Sequence, residues 1–474
     1  MPKAPSKLPR TVTIFTLAMI NVAAIGSIKN WPVTAEYGFA SIFYFLLATL
    51  IFFIPVSLVS AELATGWPQA GGVFAWVKQA FGHRTGFLAI WLLWVQNLFW
   101  YPTILSFIGA TIAYIFNPDL ANNTIYTVCM ILITFWGATI ANLIGMRTSG
   151  WISAVGVVLG TFVPGAFMII LGVIWYTTEQ PLQITFSWDS LIPNMSSLEH
   201  QVFFSGVILS LIGMEMSAVH AKDVMHPKRD YPRAILLSAA IIIGSSILGV
   251  LAIASVIPQK EISLVSGTLQ AFSYFTKAYK IEWITPVIAL LMAIGAIGSL
   301  STWILGPAKG LLAAAQYGDL PPFFRAINRH GMPKRLLLCQ GVIVTLICLI
   351  YVWMPTVSAA FWILSAVVTQ LYLIMYLLMF ATVIKLRYTM PKHERPYHIP
   401  GGKIGLWITG LLGICSSIYS MIIAFFPPSQ IETGSKTLYI AFVALATAIF
   451  TCGPFLILLF QKPSWKKQLE HEKK

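Results

Sequence analysis

The chain has 474 residues, of which 57% are hydrophobic and only 10% are charged. A soluble domain carries about 25% charged residues, so this composition excludes a soluble protein and indicates an integral membrane protein. The net charge of +14 is explained by membrane topology and by contact with anionic lipid, so nucleic-acid binding is not predicted.

Apolar stretches long enough to cross a bilayer follow one another along the whole chain. A spanning helix needs about 20 mostly apolar residues. We predict about twelve spans, numbered 1 to 12 in chain order. Their approximate cores are 12–36, 39–63, 85–116, 123–144, 151–176, 200–220, 234–257, 284–314, 336–353, 357–384, 404–426 and 437–460. The predicted fold is therefore all-α.

The basic residues predict the orientation of these spans, because Lys and Arg are retained in cytoplasmic loops. With the N-terminus inside, Lys29 and Lys309 fall within spans and nearly all the other basic residues lie on the inner side. The predicted outer loops hold only Lys260, Lys277, Lys280 and Lys436. We therefore expect an even number of spans with both termini in the cytoplasm.

Span 1 is interrupted near its centre by the sequence NVAAIGSIKNWP, residues 21–32. Inside hydrocarbon a helix breaks only where protein or a watered cavity can satisfy the freed backbone groups. A second interruption, SLIGMEMS at 210–217, lies at a similar depth in span 6. Paired interruptions in two halves predict a transporter site between inverted repeats, here spans 1–5 and 6–10, with spans 11 and 12 as additions.

An opened helix presents amide donors at the start of one half and carbonyl acceptors at the end of the other. Amides around Gly26, Ser27 and Ile28 can hold a carboxylate, and carbonyls near Ile25 and at 210–213 can hold an ammonium group. A zwitterionic ligand suits both. The alternative interpretation of Gly26 is close helix packing, which small residues commonly permit in membranes.

Four stretches carry a resemblance to a known family. They are AELATGWPQAGGVFAWVKQAFG (61–82), GMEMSAVHAKDVMHPKRDYPRA (213–234), GSLSTWILGPAKGLLAAAQYGDLPP (298–322) and RPYHIPGG (395–402). Together they resemble the amino acid, polyamine and organocation transporter superfamily, and most closely its bacterial glutamate/GABA antiporters. The resemblance implies a LeuT-like fold of about twelve helices with two five-helix inverted repeats. It also implies alternating access in a bacterial inner membrane, with an external amino acid exchanged for an internal amine or amino acid.

This resemblance suggests a division of the chain. The segments are an N-terminal cytoplasmic tail (1–10), a first repeat (11–176), a second repeat (199–388), spans 11 and 12 (404–461) and a short cytoplasmic tail (462–474). Glutamate/GABA antiporters carry a longer tail that plugs the inner mouth at neutral pH, and we expect no such plug here. The expected partners are an amino acid or amine substrate and the bilayer, without cofactor, metal or nucleic acid, in a monomer or homodimer.

By matched position, the resemblance implies that Trp303 covers the bound substrate and that Glu215 senses or carries protons. The residues expected to bind substrate are Ile25, Gly26, Ser27, Lys29, Asn97, Ser210, Gly213, Met214, Ser299 and Trp303. Three positions depart from the family pattern. Ser299 stands where glutamate/GABA antiporters have an acid, Lys29 replaces an uncharged residue, and Leu209 stands where arginine exchangers have an aromatic gate. The substrate therefore stays open.

Charged residues within spans need a partner or a purpose, because a charge at the centre of a span costs roughly 2.5 to 3.5 kcal/mol. Lys29 either attracts the side-chain carboxylate of an acidic substrate, or reaches the outer headgroups or pairs with Glu36. Glu215 can exchange a proton during transport, and it can also accept bonds from unpaired amides and hold the break open, since the two roles are compatible. Glu62, at the inner end of span 2, is interpreted as a structural cap or loop anchor.

Span 3 carries WLLWVQNLFWYP (91–102), in which Trp94, Asn97 and Tyr101 share one helix face and Asn97 is expected near the pocket. His220 is interpreted as a satisfied interior residue. An inner-loop cluster is expected to form gate salt bridges, and five cysteines are expected in the core. The cluster is Asp223, Lys228, Arg229 and Asp230, and the cysteines are Cys129, Cys339, Cys348, Cys415 and Cys452.

Three functional classes remain to be weighed. An antiporter is the first choice, and a sodium- or proton-coupled amino acid symporter on the same fold is the alternative, since Ser299, Ser301 and Thr302 can help ligate sodium. A membrane enzyme is not predicted, because the sequence shows no paired catalytic acids, nucleophile motif or metal cluster. A channel would need a continuous polar pathway, which the sequence does not show.

Overall fold

The computed structural model describes residues 13–68, 72–145, 156, 158–193, 201–215, 224, 226–428, 431–463 and 465. Within this part the chain is predominantly helical, and eleven helices are long and apolar enough to cross a membrane. This confirms the predicted all-α membrane protein of about twelve spans. Span 6 is described only up to Glu215, with an α-helix at Phe203–Ser210.

The spans have bounds close to the predicted ranges. They are Ile14–Ala35, Gly38–Gly66, His83–Phe116, Thr124–Leu143, Val158–Thr177, Arg229–Val256, Ile284–Gln316, Lys334–Trp353, Val357–Thr389, Gly402–Ile423 and Lys436–Leu459. Two shorter helices were not predicted, Val73–Phe81 after span 2 and Gly267–Ala278 after span 7. Both are shorter than the roughly 20 residues of a span, so their sequences do not indicate spanning helices.

Spans 3 and 10 form the interior of the bundle. Most residues of both helices are buried, and span 3 packs along spans 8 and 10. Spans 4 and 12 are the least buried and lie at the periphery. Cys129, Cys415 and Cys452 are exposed on the outer spans, so the expectation of core positions was wrong for these three. A small apolar side chain is equally compatible with lipid, which is why composition did not separate the two locations.

Spans 5 and 8 approach each other through two glycines. A Cβ atom added to Gly160 would lie 2.4 Å from the Cα atom of Gly295. Small residues let helix backbones come this close in a membrane. Both glycines also line the central cavity described below, so the close crossing of these two helices forms part of its wall.

Glu62 ties the C-terminal end of span 2 to span 10 and to the loop before span 11. Its buried carboxylate accepts hydrogen bonds at 2.8 Å from Arg387 Nε and at 2.8 Å from the backbone N–H of Ile399. Arg387 Nη2 donates to the second carboxylate oxygen, and Arg395 Nε lies 3.5 Å from Oε1. These contacts confirm the interpretation of Glu62 as a loop anchor.

Arg395 holds the same loop in place from the other side. Its Nη2 donates to the backbone carbonyls of Leu386 at 2.9 Å and Met390 at 3.0 Å. Its guanidinium carbon lies 4.9 Å from the centre of the Trp67 ring, which stacks on His393 at 4.5 Å. The segment RPYHIPGG, singled out in the sequence, is therefore packed onto the C-terminal end of span 2.

Replacing Glu62 with Ala should destabilise the protein strongly. Arg387 would lose the carboxylate that accepts its hydrogen bonds, and Arg395 would lose the same carboxylate as its neighbouring negative charge. Breaking a buried ion pair costs about 3 kcal/mol. We expect a loss of about this size in the free energy of unfolding, measured on purified protein in detergent. Glu394→Gln, in the same loop but exposed, should change it by less than about 0.5 kcal/mol. Equal stability of the two variants would contradict the anchor.

Candidate substrate-binding site

Span 1 consists of separate helical segments. Ile14–Ile25 is α-helical, Gly26 and Ser27 are not, and the chain continues as a 3-10 turn at Ile28–Asn30 and an α-helix at Trp31–Ala35. The N–H group of Gly26 donates to the carbonyl of Val22 at 2.7 Å, which closes the first segment. The predicted interruption at Gly26 and Ser27 is confirmed.

Span 6 is interrupted as well. Its α-helix ends at Ser210, and Gly213 has φ +127°, a conformation that side-chain-bearing residues rarely adopt. The N–H group of Gly213 donates to the hydroxyl of Tyr376 on span 10 at 3.1 Å. A Cβ atom on Gly213 would lie 3.3 Å from Ile25 Cγ1, so the two breaks touch. The rest of the predicted interruption, 216–217, lies outside the described residues.

Both breaks line one cavity of about 110 Å³. Spans 1, 3, 5, 6, 8 and 10 contribute to its wall. This volume is small beside the roughly 300 Å³ or more of drug-sized pockets, and it suits a compact ligand. The predicted site residues on the wall are Ile25, Gly26, Ser27, Lys29, Asn97, Ser210, Ser299 and Trp303.

Two predicted site residues do not reach this wall. Gly213 is turned toward Tyr376 by its positive φ, and Met214 is only 1% exposed among core side chains. Neither residue is among those that line the cavity in the described part of the chain, and direct ligand contact stays a prediction for both. The sequence located the break but not the direction in which the chain leaves it, which depends on the hydrogen bond to span 10.

Glu215 lies behind the cavity wall and is bound by two tyrosines. Its carboxylate accepts a hydrogen bond from the hydroxyl of Tyr372 at 2.8 Å and another from the hydroxyl of Tyr376. Tyr372 also lines the cavity. Neither tyrosine was predicted as a site residue, although their spacing of four residues puts them on one helix face. Tyr376 also accepts a hydrogen bond from the Gly213 N–H group, so its hydroxyl links the backbone of the break to the Glu215 carboxylate.

Lys29 is almost completely buried at 4% exposure and lines the cavity. Its ammonium group donates to Thr103 Oγ1 at 3.2 Å and lies 5.5 Å and 5.3 Å from the ring centres of Trp100 and Phe361. Within the described residues no acidic side chain, Glu36 included, forms an ion pair with it. Lys29 therefore neither pairs with Glu36 nor reaches the lipid headgroups.

Spans 3 and 8 form the opposite wall. Asn97 donates to the carbonyl of Leu93 at 2.7 Å, and its Oδ1 atom is buried without a partner in the described part of the chain. The ring centres of Trp100 and Trp303 are 5.5 Å apart, and Tyr101 donates to the carbonyl of Trp303 at 2.8 Å. Trp100 was not predicted as a site residue. Three tryptophans lie close together on span 3, and the sequence does not indicate which of them faces the cavity.

The remaining predicted polar residues have other positions. Asp230 accepts from Arg229 Nε at 2.9 Å and from the N–H of His226 at 3.2 Å, at the start of span 7. The expected gate bridge is therefore a local helix cap for this pair. His220 and Asp223 lie outside the described residues, as do the side chains of Lys228, Ser301 and Thr302.

Two interrupted helices that meet at a central cavity, in a bundle of about twelve spans, define a membrane transporter rather than an enzyme. The sequence profile of the amino acid permease family matches residues 10–449. The chain belongs to the amino acid permease family, so the predicted family is confirmed.

Individual relatives agree with this family. The chain is 42% identical over 447 residues to an uncharacterized transporter of Legionella pneumophila, covering 94% of this chain and 96% of the relative. It is 31% identical over 460 residues to a glutamate/gamma-aminobutyrate antiporter of Lactococcus lactis, covering 94% and 90%. A probable agmatine/putrescine antiporter of the same species is 27% identical over 430 residues, covering 89% of each.

Replacing Gly26 with Leu should abolish ligand binding without preventing membrane insertion. A Cβ atom at this position would lie 2.7 Å from the carbonyl oxygen of Val22, so the break would have to change shape. The measurement is ligand-induced thermal stabilisation of purified protein across a panel of amino acids and amines. Gly137→Leu on span 4 is the control, because nothing lies within 4 Å of a Cβ atom there. Normal stabilisation of the Gly26 variant would refute the site.

Proposed function

We propose that this transporter is an antiporter, which exchanges an external amino acid for an internal amine or amino acid by alternating access. The observation that carries the proposal is the contact between the two helix breaks at one cavity, where Gly213 lies against Ile25. The name of the Lactococcus lactis glutamate/gamma-aminobutyrate antiporter, matched over 90% of its length, supports exchange as the mode of transport.

The cavity wall offers separate groups for the two ends of an amino acid. In the proposed complex the break at Gly26 and Ser27 holds the carboxylate, because the first amides of the following segment have no partner within it. The unpartnered Oδ1 atom of Asn97 and the end of the helix at Ser210 accept hydrogen bonds from the ammonium group. Trp303 and Trp100 cover the ligand from span 8 and span 3.

Glu215 is the proposed proton-coupling residue. An ionised carboxylate only accepts hydrogen bonds, and here it accepts from both tyrosine hydroxyls. Protonation adds a donor to one carboxyl oxygen and weakens that oxygen as an acceptor, so the hydrogen bond it accepts from a tyrosine should weaken or rearrange. Because Tyr372 lines the cavity, that rearrangement changes the wall that the ligand contacts. A proton on Glu215 and a ligand in the cavity are thereby coupled.

We also propose the orientation that the basic residues predict, with both termini in the cytoplasm of a bacterial cell and the protein in its inner membrane. The two halves, 11–176 and 199–388, are the proposed inverted repeats. Spans 1 and 6 would then be equivalent elements of opposite orientation, which accounts for one break in each.

Uptake should require substrate on both sides of the membrane. In proteoliposomes, labelled L-glutamate or GABA should accumulate only when an unlabelled amino acid or amine is loaded inside, because a strict exchanger reorients across the membrane only when it carries a ligand. Uptake into empty vesicles driven by a sodium or proton gradient would contradict exchange and would favour the symporter.

Replacing Glu215 with Gln should flatten the pH dependence of exchange. Glutamine resembles the protonated acid, since it is uncharged and has a donor in place of one oxygen. The exchange rate is measured from about pH 5 to pH 8. The rate of the variant should change little across this range and should match that of the wild type at the acidic end, where Glu215 is protonated. Glu261→Gln, on an exposed outer loop, should keep the wild-type profile. An unchanged profile for the Glu215 variant would remove Glu215 from proton coupling.

A further inference from the structure

The surroundings of the Lys29 ammonium group are incomplete. An ammonium group has three N–H donors, and within the described residues one of them has a protein acceptor, Thr103 Oγ1. Thr103 in turn donates to the carbonyl of Trp100 at 2.8 Å. The Trp100 and Phe361 rings add cation–π contacts but neither neutralises the charge. Lys29 lines the cavity, so its other two N–H donors can be reached by a ligand there.

The rest of the cavity wall is electrically neutral. Of the described residues that line it, Lys29 alone has a Lys, Arg, His, Asp or Glu side chain. Glu215 is screened by Tyr372 and Tyr376, whose hydroxyls both donate to it. Glu36, seven residues further along span 1, forms no ion pair with Lys29. The described protein thus supplies a buried positive charge to the cavity and no anion to balance it.

A buried charge without a counter-ion is strongly unfavourable, and pairing it with a hydrogen-bonded anion relieves much of that cost. A zwitterionic amino acid brings one carboxylate, which the proposed function assigns to the break at Gly26. Balancing Lys29 then requires a second anionic group on the ligand. A cationic amine would instead meet like charge, which disfavours binding.

We propose that Lys29 is the specificity-determining residue of this cavity, and that it selects amino acids with an anionic side chain over uncharged or cationic ligands of similar size. The inference rests on the proposed function, since it concerns the ligand of the same cavity. The family that the sequence resembles has an uncharged residue at this position, so Lys29 is a departure from its pattern.

The test compares L-glutamate with its near-isostere L-glutamine and with the dication putrescine. Binding of labelled L-glutamate to purified full-length protein, and its displacement by the other two, gives three affinities. For the wild type we expect L-glutamate to bind at least about 30-fold more tightly than L-glutamine, and putrescine to compete least. Lys29→Met should reduce this ratio to within about threefold through loss of affinity for L-glutamate. Lys29→Arg should retain the preference.

A structural role for Lys29 would give a different result. If the side chain only fixes Thr103 and the two rings, Lys29→Met should lower the thermal midpoint of the ligand-free protein and weaken all ligands by the same factor. Our proposal predicts a midpoint equal to or above that of the wild type, because an unbalanced buried charge has been removed. Lys78→Met is the matched control, since Lys78 also lies over two rings, Phe74 and Tyr317, but outside the cavity.

The possible outcomes separate this inference from the proposed function. Equal affinity of the wild type for L-glutamate and L-glutamine, or an equal loss of both in Lys29→Met, overturns the inference. If the wild type exchanges other amino acids or amines but does not bind L-glutamate, the inference fails and the antiporter stands. If no amino acid or amine is exchanged, both fail.

Discussion

Backbone groups released inside hydrocarbon must find partners within the protein, and the centre of this molecule is arranged around that requirement. Where span 6 leaves its helix, the N–H group of Gly213 donates to Tyr376, and Tyr376 donates to Glu215. Span 10 thus supplies the partners that span 6 loses. The same helix contributes Tyr372 to the cavity, so the interaction that stabilises the break also shapes the binding site.

Span 10 is held at two points along its length. At its centre it binds the break in span 6 through two tyrosines, and near its C-terminal end Arg387 is paired with Glu62 of span 2. The loop that follows is fastened to the same carboxylate through Ile399. Because the C-terminal end of span 10 is anchored, the rearrangement proposed at Glu215 would act on the cavity wall rather than displace the whole helix.

Span 3 forms the other fixed side of the cavity. Asn97, Trp100 and Thr103 follow one another at intervals of three residues, which places them along one face of a buried helix. They provide an unpartnered acceptor, an aromatic surface and the hydroxyl that holds Lys29. Among the described residues that line the cavity, the side chains are uncharged except for that of Lys29. The proposed choice of ligand depends on this contrast.

The sequence by itself determined the compartment, the number and approximate limits of the spans, and the break at Gly26. These follow from composition and from the local requirement that a spanning helix be apolar and continuous. The tertiary structure decided which residues face the cavity. It brought Tyr372 to Glu215 and Trp100 to Lys29, and the two members of each pair are far apart in the chain. It also turned Gly213 away, because long-range hydrogen bonds and helix packing set the direction of a side chain and leave no periodic signal in the sequence.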